Sequence, residues 1–503
     1  MAALRPVGPL IANESLPVAG RSTFAVTDPS DGRTVGRVAA GTPDDAKAAM
    51  DAASDAQPGW EAIGGHERAK FLLAAASQLR SRREELAHLL SREMGKVAFE
   101  ASSEVEGAID NLEYYAAHAR LLAGEEVAAL PVGESLRLIW RPRGVVVGIT
   151  PWNFPAATVT RKIGPALLTG NTMVLKPSSA TPLSALLIGE AFRDAKLPKG
   201  VLNVVPGPGG TLGPALLQHG ACATVTLTGS TASGVEVLKL AAPRVVKCLL
   251  ELGGKAPVIV ARDADIDWAA RATVWARYWN NGQACIAAER CYVHAEVRER
   301  FLEKVRALVG GLVVGPPGHP GTDLGPLYSS AARDKVEQDV GTAVEAGARV
   351  ALGGHRPKTK ALARGAYYDP TILVDVADDN PIASEEVFGP VLPVLAFDDF
   401  DEVIRRANAS PYGLSSYVFT RSGALAEKAA RELLFGETYI NRVGPESPQG
   451  YHAGFRRSGL GGEGTRWGVY DYLQLKSVYV DWREPHSADY FLPYHGRRDR
   501  RAS

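Results

Sequence analysis

A chain of 503 residues, 46% hydrophobic and 22% charged, can bury a sizeable core and divides into two or three domains. Lysine plus arginine and aspartate plus glutamate each number 56, so the formal net charge is zero. That balance excludes a broad electrostatic attraction to nucleic acid or to an anionic membrane, and points to small, individually recognised ligands.

The N-terminal MAALRPVGPLIANES lacks the basic start, long apolar stretch and cleavage site of a signal peptide. No later run approaches the roughly 18 apolar residues of a spanning helix, so a cytoplasmic location is the expectation. The first third reads as helical. Thr42 caps a helix entered at Pro43, and segments 66–94 and 101–122 repeat apolar residues at helical spacing. From Gly144 the pattern changes to short β-branched runs (VVVGI, TMVLK, VLNVV, ATVTL, VVKCLL) separated by helical stretches at 158–169, 181–195 and 231–242. Such alternation predicts βαβ units and a doubly wound parallel sheet. A second α/β stretch runs over 256–455, opening on APVIV and including an amphipathic segment at 296–310 and TILVDV. ESLRLIWRPR (134–143) and SVYVDW near the C-terminus read as strands, either exposed for pairing with another subunit or closing an internal hairpin. HGRRDRRAS reads as a charged, frayed tail.

Five segments carry candidate chemistry. In GITPWNFP (148–155), directly after the first strand of the sheet, Asn153 either aims its amide at a developing oxyanion, worth roughly 3–4 kcal/mol where it occurs, or serves a plain turn. Two glycine-rich stretches, 205–213 and 227–234, can each present backbone N–H groups to a pyrophosphate at a helix start. The second is favoured because Ser230 adds a hydroxyl and a strand immediately precedes it, whereas Gly207 and Gly209 can equally be a simple turn. In LELGGKAP, Glu251 ends an apolar run, where a parallel strand points into the ligand crevice. Desolvation there makes it a base, and a solvated or salt-bridged carboxylate is the plainer alternative. In NNGQACIAAER, Cys285 follows a Gly-containing turn that presents its thiol, although a free cysteine is commonly a small core residue. Cys222, Cys248 and Cys291 fit that core reading. The four cysteines form neither a CxxC pair nor a Cys/His framework, so no disulfide scaffold and no metal site is expected.

Taken in order, TPWNFP, GNTMVLKPS, LTGSTASG, LELGGKAP, GQACIAAER, EEVFGP and FGETYIN resemble the aldehyde dehydrogenase superfamily over about residues 20–480. FGETYINR and QGYHAGFRRSGLGG resemble the lactaldehyde or glycolaldehyde dehydrogenase type, and TRKIGPAL with EGTRWGVYDYL resembles succinate-semialdehyde dehydrogenases. The resemblance implies a cofactor domain (1–125 and 146–255), a catalytic domain (256–455), and an oligomerisation arm with a C-terminal strand (126–145 and 456–490), followed by a tail at 491–503. It also implies a homodimer or homotetramer. By motif, Cys285 is the nucleophile, Glu251 the base and Asn153 the oxyanion donor. Lys176 would contact the cofactor ribose, Gly229 and Ser230 its phosphates, Trp152 the pyrophosphate region, and Glu386 with Phe388 the nicotinamide ribose.

The chemistry follows from those roles. A thiolate adds to the aldehyde carbon, Asn153 and the Cys285 backbone N–H stabilise the oxyanion, hydride departs to the cofactor, and Glu251 activates water to release the acid. No metal is required. Ser179 stands where NAD-preferring members carry a ribose-binding Glu, so the resemblance implies that NADP is accepted alongside NAD, with preference for NADP open. Gln474 stands where some members carry a proton-relaying Glu, which leaves Glu251 as the motif base. The substrate is a small aldehyde of the 2-hydroxyaldehyde or semialdehyde type. Arg161 and His452 are polar candidates for its pocket, with Arg161 available to an acidic substrate or else a salt-bridged helix residue. Ile286 is an apolar departure from the 2-hydroxyaldehyde type, and Val443-Gly444-Pro445 lacks the acidic residue of that type. An enzyme passing its acyl group to coenzyme A is disfavoured by Glu251. A cysteine hydrolase would need a histidine partner, for which His452 is the one candidate in the motifs, and a cofactor-binding protein without turnover fits poorly with an intact Cys285, Glu251 and Asn153.

Overall fold

In the computed structural model, which describes residues 6–127 and 130–482, the first helix begins where Thr42 and Pro43 place it. The Thr42 hydroxyl accepts from the Asp45 N–H and the Asp45 carboxylate accepts from the Thr42 N–H, capping Pro43–Ala62. The expected 66–94 segment is two helices, Gly64–Ser81 and Arg83–Met94, broken at Arg82, and Ala98–Ala117 follows. The helical reading of the first third omits an antiparallel pair, Thr23–Thr27 with Thr34–Ala39. Its reversal is made by Asp31 and Gly32, the latter at φ +77°, where a residue without Cβ is favoured.

The five β-branched runs form the parallel strands Val145–Ile149, Thr172–Lys176, Leu202–Val204, Cys222–Thr228 and Lys247–Glu251. Val145–Ile149 lies between Thr172–Lys176 and Cys222–Thr228, so strand order reverses beside it. The crevice at the carboxyl ends of these strands is where such sheets bind ligands. Helices Ala157–Leu168, Pro182–Asp194 and Thr231–Ala241 cover the sheet. Apolar clusters pack on it, one including Val146, Met173 and Leu175 and another including Val147, Val174 and Val225. Continuous apolar strands are what a sheet buried on both faces requires, and each buried Val, Leu or Ile contributes roughly 1.5–3 kcal/mol.

A second sheet orders Arg349–Leu352, Thr371–Val374, Val391–Phe397, Ala288–His294, Ala256–Val260, Ser415–Phe419 and Glu437–Ile440, with only Arg349–Leu352 antiparallel to its neighbour. The strands read at the chain's middle and end pair with each other, Glu134–Pro142 running antiparallel to Leu473–Asp481 from Glu134↔Asp481 to Pro142↔Leu473. They are the central and edge strands of a small sheet completed by Glu125–Val127. The span 456–490 is not uniform, because Gly459–Leu460 joins the edge of the first sheet beside Glu251. The tail at 491–503 lies outside the described residues. Among the described residues no helix is long and apolar enough to cross a membrane.

Candidate active site

Asn153 sits just past Val145–Ile149, and its neighbourhood is braced by buried charge. The Glu104 carboxylate accepts from the N–H groups of Ala156 and Ala157 at 2.8 and 3.2 Å, satisfying donors at the start of Ala157–Leu168. Lys96, paired with Glu104, donates to the Asn153 carbonyl at 3.1 Å, and the Asn280 amide donates to the same oxygen at 3.1 Å. The Asn153 side chain is buried and spends one amide hydrogen on the Gln283 carbonyl at 3.0 Å. An NH₂ group has two donors, and the second remains for an oxyanion.

Cys285 follows a turn in which Asn280, Asn281 and Gly282 have φ of +51°, +59° and +72°. Asparagine and glycine are the residues that tolerate this region. A Cβ on Gly282 would lie 2.3 Å from the Gly389 carbonyl, and one on Gly254 would lie 2.3 Å from the Cys285 carbonyl. Gly254 therefore lets the nucleophile's backbone close on the end of the Glu251 strand. Burial pushes the Cys285 thiol above its usual range, and the influence of His452 offsets this only in part. Cys222 and Cys291 are buried strand residues, and burial pushes the Cys222 thiol to about 12.

Glu251 ends its strand, paired with Gly459 on the other side. It is 4% exposed, and neither carboxylate oxygen has a hydrogen-bond partner among the described residues. Burial raises its pKa well above the usual carboxylate range, and His452 partly offsets this. A desolvated, unpartnered carboxyl of this kind suits proton transfer near neutral pH.

Cys285, Glu251, Asn153, Arg161, Ile286 and His452 all line one cavity of about 230 Å³. Six residues from four distant stretches of sequence thus converge. Ile286 is 5% exposed and packs with Ala284, Ala287 and Leu414. Arg161 is both wall and salt bridge. Its guanidinium meets Glu446 at 2.5 Å and Glu463 at 3.8 Å.

Those two glutamates were missed from sequence. Val443-Gly444-Pro445 carries no acid, but the next residue, Glu446, lines the cavity. The second carboxylate was assigned to position 474, yet Gln474 is exposed on Leu473–Asp481 and donates to the Pro142 carbonyl at 3.2 Å. Glu463 is the one that shares the cavity with Glu251, and it pairs with the buried Lys162 at 2.8 Å. The one available signal was a lone Glu between glycines in GGEGT. Burial opposes ionisation of Glu446, but Arg161 and His452 hold it down at about 2. Lys162 and Arg161 likewise keep Glu463 below its ordinary value against burial.

The residues assigned to the cofactor fall into two groups. Lys176 is buried, its ammonium donates to the Pro177 carbonyl at 2.9 Å, and burial alone lowers it to about 8. It has donors to spare and no salt-bridge partner among the described residues, as expected of a site for ribose hydroxyls or phosphate. Ser179 is exposed and donates to the Gly207 carbonyl at 3.1 Å, while a Cβ on Gly209 would lie 3.8 Å from Lys176 Cε. The 205–213 stretch therefore borders the same site rather than making an unrelated turn.

Ser230 caps Thr231–Ala241, its hydroxyl accepting from the Ser233 N–H at 3.2 Å. The Gly229 N–H donates to the Glu251 carbonyl at 3.0 Å. Gly229 thus offers close backbone approach rather than a free donor, and the first-turn N–H groups of the helix remain for an anion. Trp152 stacks on Tyr328 at 3.6 Å and meets Phe388 edge-on at 5.5 Å. Glu386 accepts from the Gly254 N–H at 2.9 Å, and burial followed by the charge of Glu289 raises it to about 7. The aromatic cluster and Glu386 therefore adjoin the loop that leads from Glu251.

Residues 17–478 match the aldehyde dehydrogenase family. The chain is 42% identical to the D-glyceraldehyde dehydrogenase (NADP(+)) of Picrophilus torridus, covering 92% of this chain and 93% of that protein. It is also 42% identical to the lactaldehyde dehydrogenase of Escherichia coli, covering 92% and 96% of the two chains. The solved structure of a 3,6-anhydro-L-galactose dehydrogenase in complex with NAP superposes with a TM-score of 0.92 at 38% identity, covering 94% of this chain and all of that one (100%).

Proposed function

Because the chain belongs to the aldehyde dehydrogenase family, and is thus an oxidoreductase taking small aldehydes to acids with NAD or NADP, we propose that its substrate is a short, uncharged hydroxyaldehyde. The observation that carries this is the state of Arg161. Its guanidinium is already neutralised by Glu446 at 2.5 Å, with Glu463 behind it. A carboxylate on the substrate would have to compete with two fixed carboxylates in a cavity that also holds Glu251. Hydroxyl groups can instead donate to Glu446 and accept from Arg161 without adding charge. The names of the relatives, a glyceraldehyde and a lactaldehyde dehydrogenase, agree with that class.

In this reading Cys285 attacks the carbonyl carbon, and the second Asn153 amide hydrogen and the Cys285 N–H receive the oxyanion. The nicotinamide, when bound, accepts the hydride. Lys176, Ser179, Gly229 and Ser230 hold the cofactor on the ribose and phosphate side, and Trp152, Glu386 and Phe388 hold it towards the nicotinamide. Glu251 then takes a proton from the water that cleaves the thioester. Ser179 sets no negative charge against a 2′-phosphate, which supports NADP as an accepted and preferred cofactor.

One kinetic panel tests both points. With glyceraldehyde, lactaldehyde and succinate semialdehyde, kcat/KM for the neutral substrates should exceed that for the acidic one by at least about tenfold, or about 1.4 kcal/mol; the reverse order would overturn the reading of Arg161. Run with each cofactor, the same panel should show NADP-linked turnover, and a rate below about a hundredth of that with NAD would remove the argument from Ser179.

We read 1–125 with 146–255 as the cofactor unit and 256–455 as the catalytic unit, supported by the two parallel sheets. The small sheet serves as the oligomerisation arm. Tyr479 and Trp482 at its edge are 76% and 80% exposed, which supports burial against another subunit. Light scattering should return two or four times the 53.5 kDa chain mass, and a monomer would refute the assignment. Four free cysteines fit a reducing, cytoplasmic setting.

A further inference from the structure

Lys255, Arg277 and Glu289 form an ion cluster in which each residue is at most 1% exposed. None of the three lines the reaction cavity. The Glu289 carboxylate meets the Lys255 ammonium at 2.6 Å through Oε2 and the Arg277 guanidinium at 2.6 Å through Oε1. Burial opposes its charge, but Arg277 and Lys255 hold its pKa down at about 2.

Further hydrogen bonds of the cluster reach into loops. Oε2 of Glu289 accepts from the Val387 N–H at 3.1 Å and Oε1 from the Phe388 N–H at 3.4 Å. Each oxygen thus takes one cation and one backbone donor of the same loop. Lys255 also donates to the Glu385 carbonyl, and Arg277 donates to the carbonyl of Gly389 and, at 3.4 Å, to that of Gly282. The cluster therefore joins three segments: the one leading on from Glu251 through Gly253 and Gly254, the turn that presents Cys285, and residues 385–389, which carry Glu386 and Phe388.

The 385–389 loop is held rather than relaxed. Phe388 has φ +52°, a left-handed backbone that a bulky side chain rarely adopts, and its N–H is one of the two bound by Glu289. A Cβ on Gly253 would lie 2.6 Å from Oε2 of Glu386, so that carboxylate fills space a glycine leaves free, and its Oε1 accepts from the Gly254 N–H at 2.9 Å. In this position the Phe388 ring meets Trp152 edge-on at 5.5 Å. A buried ion triad is an inefficient source of stability, since desolvating the charges offsets most of what their attraction returns. What this one supplies is fixed relative position.

We propose that Glu289, with Lys255 and Arg277, sets the distance between the nicotinamide end of the cofactor and Cys285. Glu289 is a positioning residue for hydride transfer, acting through Phe388 and Glu386. The inference rests on the roles given above to Cys285, Glu386 and Phe388. In the step concerned, the C–H bond on the carbon held by Cys285 breaks, its electron pair reduces the bound nicotinamide, and a lone pair of the oxyanion closes the thioester carbonyl. Glu289 exchanges no proton or electron in it. A displacement of about 1 Å between reacting atoms costs up to about a hundredfold in rate. Among the described residues, none of the cluster's hydrogen bonds reaches Lys176 or Ser179, at the adenosine end.

The test compares the full-length parent with Glu289→Gln, which keeps the shape and removes the charge, and with Glu289→Asp, which keeps the charge. In the cofactor-free proteins, amide hydrogen exchange of the 385–389 segment should quicken at least about tenfold in Glu289→Gln, because the clamp on Val387 and Phe388 is weakened. The Kd for adenosine 2′,5′-bisphosphate, the half of NADP without nicotinamide, should stay within about threefold and so report folding and an intact adenosine end. In single turnovers with NADP and with enzyme in excess over glyceraldehyde, the yield of reduced cofactor should be unchanged and its rate of appearance should fall at least about tenfold. Substrate deuterated at C1 should slow that rate further, and Glu289→Asp should recover part of it. If Glu289→Gln does not fold, Arg277→Lys, which keeps the charge and loses the fork reaching Gly282 and Gly389, should give the same pattern. A smaller fall in rate, a slowed rate indifferent to deuterium, unchanged exchange at 385–389, or a loss of adenosine 2′,5′-bisphosphate affinity equal to the fall in rate overturns the proposal. Reduction of NADP surviving in Cys285→Ala would instead remove the nucleophile on which it rests.

Discussion

Cys285→Ala should abolish aldehyde-dependent cofactor reduction, with kcat falling by at least about four orders of magnitude while NADP still binds. The size follows from the role. In the proposed mechanism Cys285 forms the covalent bond on which both later steps depend, so no neighbour can substitute partially. Of the other three thiols, Cys222 and Cys291 are buried in strands and Cys248 lies in the strand that ends at Glu251. None of them lines the cavity. Stopped-flow absorbance of the reduced nicotinamide, together with a cofactor titration, is the measurement. Turnover within a hundredfold of the parent would assign the nucleophile elsewhere.

Glu251→Gln should separate the two halves of the reaction. Thiol addition and hydride departure do not use the carboxylate, so about one reduced cofactor per site should appear in a burst. Steady-state turnover should then fall by roughly 10²–10⁴-fold because the thioester persists. Acid-quench mass spectrometry should find the acyl group on Cys285. Loss of the burst itself would mean that Glu251 also serves the thiol. The pH dependence has a definite sign. Burial raises the Glu251 pKa, so the deacylating form is the ionised one and the steady-state rate should rise with pH through that elevated value, while the burst stays comparatively insensitive.

Much of the architecture was legible because local rules settle it. The five β-branched runs are strands since a parallel sheet buried on both faces needs continuous apolar residues. Asn280, Asn281 and Gly282 announce a presented side chain because few other residues accept a left-handed backbone. The lone Glu of LELGGKAP, at the end of an apolar run, marks a crevice carboxylate by position alone. The pair Thr23–Thr27 and Thr34–Ala39 escaped because the first strand is mostly exposed or half-buried and the second, though largely buried, breaks the two-residue alternation of a strand.

Glu446 and Glu463 could not be read in the same way. Each sits in a loop or strand end without a periodic signature, and what distinguishes it is a partner far away in sequence. For Glu446 and Glu463 those partners are Arg161 and Lys162, on a helix some three hundred residues earlier. Arg161 itself was undecided between substrate contact and salt bridge, and the structure shows a salt bridge on the cavity wall.

Spacing, turn chemistry and strand-end position are local properties of the chain, so the alternating α/β layout, the order of the motifs and Cys285 as a candidate nucleophile were legible before any fold was known. Folding alone settled the surroundings of these residues: Arg161 is already paired with Glu446, and Glu463 rather than position 474 shares the cavity with Glu251. Protonation depends on burial and on the distance between charges, and both are created when segments remote in sequence close on one cavity.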